Sequence, residues 1–554
     1  MANPNRTVSS VRLNTFQVRY NNVPGQTEPL QPLKVLYAGA YAQDEWRAAK
    51  GLKFTIGLRV DVPMFEKTAL DNPQANALTF RDQHGAAATY VTSKLPNANL
   101  LLSPRVGVNW DVSGDRTTVV RGGSGIFTGT PPYVWISNQV GQNGILTGFD
   151  QQTNTFARPF NPSPTRYAPT TVTGAPAASY ELDFTDPNYK FAQIWRSNVA
   201  IDRRLPGGFV ATLEGLYGKD VNAQYYINAN LPAAQATYTG ADKRMRWTSN
   251  RINNNITPGA YVISNTNTGS SYNAAGSLTK DFTNGLFAKA AYAYGVSRNS
   301  IDPGSIASGT WQGNQHANDP NNPTVAFSTS SPGHRMFLAL SYRREYFAFG
   351  ATSLSLISEG RTLGNTSYQF SADANGDGGN NDLLYIPRNA SEMNFQEYCV
   401  NAAGAALTNC AAAAKTFTVP EQQSAWEAYI VQDAYLNARR GQYAERGAVF
   451  LPILFRSDLG VTQELFTRAG GKRNTLSLRF DILNLDNLIN KKWGSGQRLV
   501  SNTPLVPRGA DAAGALLYRL RNIGTNLLPP ATYQHTSGLA DVWRMQLGVR
   551  YTFN

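Results

Sequence analysis

Apolar and polar residues alternate along Leu476–Asn484. Leu476, Leu478, Phe480 and Ile482 fall on one side of an extended chain, and Ser477, Arg479 and Asp481 fall on the other. A period of two predicts a β-strand with one apolar and one polar face. The pattern recurs along the chain. Phe54, Ile56, Leu58 and Val60 alternate with Thr55, Gly57 and Arg59. Val106, Val108 and Trp110 alternate with Arg105, Gly107 and Asn109, and Met336, Leu338, Leu340 and Tyr342 with Arg335, Ala339, Ser341 and Arg343. Trp543, Met545, Leu547, Val549, Tyr551 and Phe553 close the series. One such strand fits a soluble sandwich as well as a sheet with lipid on one side and a wet lumen on the other. The connections decide between them.

Strands are expected near 10–20, 34–47, 51–62, 104–112, 116–128, 189–204, 209–218, 271–282, 286–298, 333–344, 347–358, 454–467, 472–484 and 542–553. Tight turns are expected at Ala48-Ala49-Lys50, Ser113-Gly114-Asp115, Leu205-Pro206-Gly207-Gly208, Thr283-Asn284-Gly285 and Arg468-Ala469-Gly470-Gly471. Asn-Gly is a strong hairpin signal. Long polar links separate these hairpins, and the longest, 359–453, carries most of the distinctive sequence. Short and long connections alternate throughout, as in outer-membrane barrels with short periplasmic turns and long extracellular loops. Propellers and sandwiches lack this asymmetry. The expected fold is all-β, an antiparallel transmembrane β-barrel of about fourteen strands, an even count that puts both ends on the short-turn side. Residues 1–554 read as one barrel domain, with 359–453 as an extracellular loop region holding a short helix.

Composition agrees. Of 554 residues 42% are apolar and only 16% charged, with 48 Gly, 27 Tyr and 25 Phe, which suits β structure with long loops. No apolar run reaches the roughly 18 residues of a membrane-spanning helix. The net charge of +13 is spread along strands and turns without a dense basic tract, so nucleic acid is not an expected partner. The start, Met1-Ala-Asn-Pro-Asn-Arg6, has no apolar signal core, which implies a processed chain or a fragment.

Asp373-Ala-Asn-Gly-Asp-Gly378, followed by Asp382, matches the start of an oxygen-rich Ca²⁺ loop. Asp373, Asn375, Asp377 and Asp382 are the candidate ligands of a structural Ca²⁺ ion. Leu384 stands where such a loop has its bidentate Glu, and a metal-free Asx/Gly turn is the favoured alternative. The two cysteines, Cys399 and Cys410, lie close together in a polar segment and suggest a disulfide made outside the cytoplasm. Glu421–Arg440 reads as a helix packing through Trp426, Tyr429 and Ile430. Arg439, Arg440 and Arg446 either steer an anion or form structural pairs, the second being favoured. His84, His316, His334 and His535 show no metal-ligand spacing. No nucleophile elbow, phosphate loop or carboxylate pair marks a catalytic centre, so no catalytic residue and no enzyme activity are expected.

Several phrases carry a family resemblance. Tyr41-Ala-Gln-Asp-Glu-Trp46, Gly57-Leu-Arg-Val-Asp61, Ser103-Pro-Arg-Val-Gly107 and Val120–Phe127 resemble TonB-dependent outer-membrane receptors. Ala428–Leu436, Arg439-Arg-Gly441, Ala444-Glu-Arg-Gly447, Asp481–Leu485 and Asn490-Lys-Lys-Trp-Gly494 resemble the Oar-like branch, which joins a carboxypeptidase-regulatory-like domain, a plug and a large barrel. The resemblance implies binding or uptake of a large solute in outer-membrane lipid, powered by a TonB-type complex. It also implies a barrel of about 22 strands, of which this chain supplies the C-terminal part. Neither plug nor coupling box is found in the sequence, so coupling to that complex is expected only through a missing N-terminal region. A passive porin-like barrel and a surface adhesion or secretion component are the alternatives.

Overall fold

The computed structural model of the chain describes residues 12–163, 165–469, 472–524 and 528–553. In chain order its main strands are β1 (Leu13–Asn21), β2 (Val35–Ala49), β3 (Leu52–Phe65), β4 (Leu101–Asp111), β5 (Thr118–Thr128), β6 (Thr147–Thr155), β7 (Tyr180–Thr185), β8 (Gln193–Arg204) and β9 (Val210–Asp220). They continue as β10 (Ala223–Asn228), β11 (Ile256–Thr266), β12 (Ser270–Asp281), β13 (Leu286–Asn299), β14 (Gly333–Tyr346), β15 (Gly350–Thr362), β16 (Ile453–Ala469), β17 (Lys472–Leu483) and β18 (Arg544–Thr552).

Thirteen of these form one antiparallel meander, in the order β2-β3-β4-β5-β8-β9-β12-β13-β14-β15-β16-β17-β18. The two-residue strand Ala326–Phe327 pairs with β13 as an addition. Among the described residues, β2 and β18 each pair on one side only.

The register carries one face across the sheet. Ala288, Leu340, Leu356, Leu459, Ile482 and Met545 are successive cross-strand partners. One position along, Ser341, Ser355, Gly460, Asp481 and Gln546 form the neighbouring row on the opposite face. The polar face holds ion pairs that span strands: Arg121–Asp202 at 3.0 Å, Arg335–Glu359 at 2.9 Å and Arg343–Glu464 at 2.8 Å. Apolar residues such as Leu547 and Val549 are largely bare of protein, as a surface in contact with lipid must be.

The short connections 50–51, 112–117, 205–209, 282–285 and 347–349 lie at one end. The β16–β17 turn includes Gly470 and Gly471, outside the described residues. The long links 66–100, 129–192, 221–269, 300–332, 363–452 and 484–543 lie at the other end. In the β12–β13 turn, Gly285 has φ +85°, and a Cβ there would run into the Arg343 carbonyl. Gly285→Ala therefore meets both a left-handed backbone and a backbone collision. A loss of about 1–3 kcal/mol is expected in an unfolding titration, whereas Gly114→Ala, in open space, should lose only the conformational part, roughly 1 kcal/mol.

One expected strand lies elsewhere. The described part of 10–20, β1, pairs with β6 in the 129–192 link and not with the large sheet. Alternation predicts an extended chain but not its partner, and here the partner is a loop strand. The consequence is an odd number of meander strands. The chain thus enters the sheet at the long-link end, whereas an even count would have placed both ends at the turns.

Candidate functional site

The hydrophobic core of this molecule lies in the long links. Tyr368, Phe370, Leu384, Trp426, Tyr429, Ile430, Leu505 and Leu520 are buried together, drawn from 363–452 and 484–543. Tyr238 joins them from 221–269. The helical segment divides into α-helices Val419–Gln432 and Ala434–Ala438, where a single helix over 421–440 was expected. Thr418 and Glu421 close a capping box on the first. Asp433 leaves helical geometry, caps the second helix through Leu436 N at 3.0 Å, and accepts the Tyr368 hydroxyl at 2.7 Å. A carboxylate with two such partners ends one helix and starts the next. Trp426, Tyr429 and Ile430 are fully buried, as the helical spacing predicts.

At the centre is Arg244, a fully buried guanidinium. Its Nε donates to Asp242 at 3.0 Å, its Nη1 to Asp382 at 3.2 Å and its Nη2 to the Leu383 carbonyl at 2.8 Å. Asp242 also accepts the hydroxyls of Tyr443 and Tyr518, both at 3.0 Å. The guanidinium lies over the rings of Phe370 at 4.8 Å and Tyr443 at 5.4 Å. Burial opposes its charge, but Asp242 and Asp382 outweigh that and hold its pKa above the usual value. Arg244 ties 221–269 to 363–452, and Tyr518 brings 484–543 to its partner Asp242. His316, from 300–332, adds a fourth link. Its Nε2 lies 3.2 Å from Asp377 Oδ2, off the line of a hydrogen bond. Burial lowers the His316 pKa, yet the charges of Asp377 and Asp382 carry it above the ordinary value.

The candidate Ca²⁺ ligands sit inside this network. Asp373 accepts the N–H groups of Asn375 at 3.1 Å, Gly376 at 2.6 Å and Gly378 at 2.8 Å. Asp377 accepts Gly379 N–H at 2.7 Å and the Asn375 amide at 3.0 Å, and Asp382 accepts Ala374 N–H at 2.8 Å besides Arg244. Their oxygens are turned toward N–H donors. Among the described residues no three His, Cys, Asp or Glu side chains converge as they would on a metal ion. Burial raises the pKa of both Asp373 and Asp382.

Arg439 pairs with Glu445 at 3.4 Å, Arg440 with Glu427 at 3.2 Å, and Arg446 donates to Asn314 at 2.7 Å. The first two are packing contacts within 363–452, and the third joins it to 300–332. Arg244 and Asp242 are the residues that sequence patterning passed over, because no periodic signal surrounds them, and His316 was considered there only for metal-ligand spacing.

Cys399 and Cys410 are bonded through sulfur, with Cα atoms 5.7 Å apart. The bridge closes a short loop beside the Tyr398–Val400 and Lys415–Phe417 ribbon. Cys399→Ser/Cys410→Ser should lower the local stability of this ribbon by about 2–3 kcal/mol. Hydrogen exchange over 398–417 reads it, and unchanged exchange there would contradict it.

A cavity of 630 Å³ opens between β1, β6 and β7, lined by Gln17, Arg19, Gln142, Asp150, Tyr180 and Glu181. Such a volume suits a small organic ligand.

The profile of a family described as "outer membrane beta barrel domain" matches residues 7–492. No curated protein matches the chain in sequence. Similar solved structures include the copper transporter OprC, with 12% identity over 81% of this chain and 42% of that one, TM-score 0.37. The FrpB iron transporter of Neisseria meningitidis, F3-3 variant, is 10% identical over 93% and 45%, TM-score 0.38. A mutant of the ferric enterobactin receptor PfeA of Pseudomonas aeruginosa is 10% identical over 94% and 54%, TM-score 0.35. The chain spans about half the length of these proteins or less.

Proposed function

Because the chain belongs to the outer membrane β-barrel domain family, and so to the bacterial outer membrane, we propose that it is the barrel part of a TonB-dependent receptor of the Oar-like type that binds or takes up a large solute. The observation that carries this reading is the asymmetry of the sheet ends. One end has only short turns. The other holds several long links fastened into a common core around Arg244 and Trp426. A packed outer mass of this kind is a recognition surface with a fixed shape, which a large solute needs and a diffusive pore does not. The phrases from Tyr41 to Gly494 support the same assignment. The apolar face meets outer-membrane lipid, and the polar face with its strand-spanning ion pairs lines the interior. Energy coupling is assigned to a plug segment outside the sequence given. No chemical transformation is assigned to the chain.

The test is the reading frame upstream of the Met1 codon. The expected result is an in-frame extension encoding an export signal, a plug and further strands. A stop codon directly upstream would overturn the receptor reading. A constant conductance of the purified chain in a planar bilayer would then identify it as a passive pore.

A further inference from the structure

Strand β7, Tyr180-Glu-Leu-Asp-Phe-Thr185, is buried along its whole length. It pairs in parallel with β11, which pairs with β10, forming a small sheet within the links. Tyr180, Leu182 and Phe184 face one apolar cluster with Ala260, Val262 and Ile227. Glu181, Asp183 and Thr185 therefore face the other way, toward Tyr261 and Tyr226 and beneath the α-helices Val134–Gly141 and Ala307–Gly313. In the register, Asp183 lies beside Tyr261, and Thr185 beside Ile263, whose other neighbour is Tyr226.

That face carries polar atoms with no partner among the described residues. They are Glu181 Oε1, both carboxylate oxygens of Asp183, Thr185 Oγ1 and the Tyr226 hydroxyl. Asp183, Thr185 and Tyr226 are each at least nine-tenths buried. The backbone of the strand is satisfied: Asp183 N–H donates to the Gln142 carbonyl and Thr185 N–H to Gln139 Oε1, both at 2.9 Å. Of the four side chains, only Glu181 has a partner, the Ser308 hydroxyl. Asp242, Asp382 and Asp433, also buried in the links, are matched, the first two by Arg244 and the third by Tyr368 and Leu436 N–H.

We propose that Glu181 and Asp183 together bind a hard divalent cation of the Ca²⁺ class, reached through the 630 Å³ cavity that Glu181 lines. Asp183 has no partner and Glu181 has only the Ser308 hydroxyl; buried carboxylates so placed cost several kcal/mol each if charged, and one doubly charged ion offsets both. The donor set is all oxygen, without His or Cys, which favours Ca²⁺ over softer metals. Opposite Glu181, the β11 ladder is interrupted between Ile256 and Ala260, and Thr257 and Pro258 there line the cavity. The interruption lies beside the point where Glu181 meets the cavity. Arg19, across the cavity, is a cation whose charge reaches both carboxylates. Burial, and then the charge of Glu181, raises the Asp183 pKa well above the usual range. The site is independent of the receptor reading and stands or falls separately from it.

The experiment uses the purified chain in detergent micelles, stripped with a chelator and titrated with CaCl₂ by calorimetry and by thermal unfolding. Wild type should bind one ion and gain a Ca²⁺-dependent upward shift in Tm. Glu181→Gln/Asp183→Asn should weaken binding at least tenfold and lose that shift, while its metal-free form melts above metal-free wild type because unpartnered charge has gone. Asp373→Asn should bind as wild type does. Three results would overturn the site: no binding by wild type at 10 mM Ca²⁺ (roughly ten times the weakest affinities of extracellular Ca²⁺ modules), equal binding by the double variant, or loss of binding in Asp373→Asn alone.

Discussion

Replacing Arg244 with Met should loosen the links while leaving the sheet in place. The substitution keeps an apolar stem of similar length but removes the guanidinium that lies over Phe370 and carries the charge between Asp242 and Asp382. Both carboxylates would then be buried without their cation. Removing one partner of a buried ion pair costs about 3–5 kcal/mol, against the 5–15 kcal/mol that typically stabilises a domain. Because Arg244 and its partner Asp242 together join three links, the loss should spread through 221–269, 363–452 and 484–543. Limited proteolysis of the membrane-embedded protein reads it as new cuts in those segments, with β12–β15 still protected. Arg244→Lys should recover little, since an ammonium cannot meet Asp242, Asp382 and the Leu383 carbonyl in one planar fork. A melting curve for Arg244→Met within about 1 kcal/mol of wild type would refute the central place given to this side chain.

The second large effect separates the two faces of the sheet. Leu340 is near the middle of β14, in the apolar row with Leu356 and Ala288. Leu340→Arg should cost about 2–4 kcal/mol in lipid vesicles, the figure for a basic residue at the bilayer midplane. Ser341 is the next residue and points the opposite way. Ser341→Arg should cost no more than about 1 kcal/mol, because its charge joins a polar face that already holds Arg335 and Arg343. Guanidinium unfolding of each variant in vesicles gives the comparison. Equal costs would mean that the apolar face is not the lipid face.

The sheet could be read from the sequence because its physics is local. Leu476 to Ile482 repeat every second residue, and so do Met336 to Tyr342, whatever lies around them. The tight turns were marked by Asn284-Gly285 and Pro206-Gly207. What local pattern could not supply was partnership. Segment 13–21 is extended, but its pairing with Thr147–Thr155 depends on a contact across more than a hundred residues. Arg244 and Asp382 meet over a similar distance. The strand Tyr180–Thr185 alternates like the others, yet it lies within a link that composition marks as loop. Its buried Glu181 and Asp183 look like surface charges until the parallel pairing with Ile256–Thr266 is known. Trp426, Tyr429 and Ile430 were legible through helical spacing, whereas the break at Asp433 depended on Tyr368, far along the chain.

The location of the core has a calorimetric consequence. Heat capacity rises on unfolding when apolar surface passes from a dry interior into water. The sheet has little such surface to release, since its apolar face meets lipid before and after local disorder. The links bury Trp311, Trp426, Tyr368 and Phe370 away from any solvent. A scan of the protein in a bilayer should therefore show the heat-capacity step at the temperature where the links melt, with the later loss of the strands nearly flat by comparison.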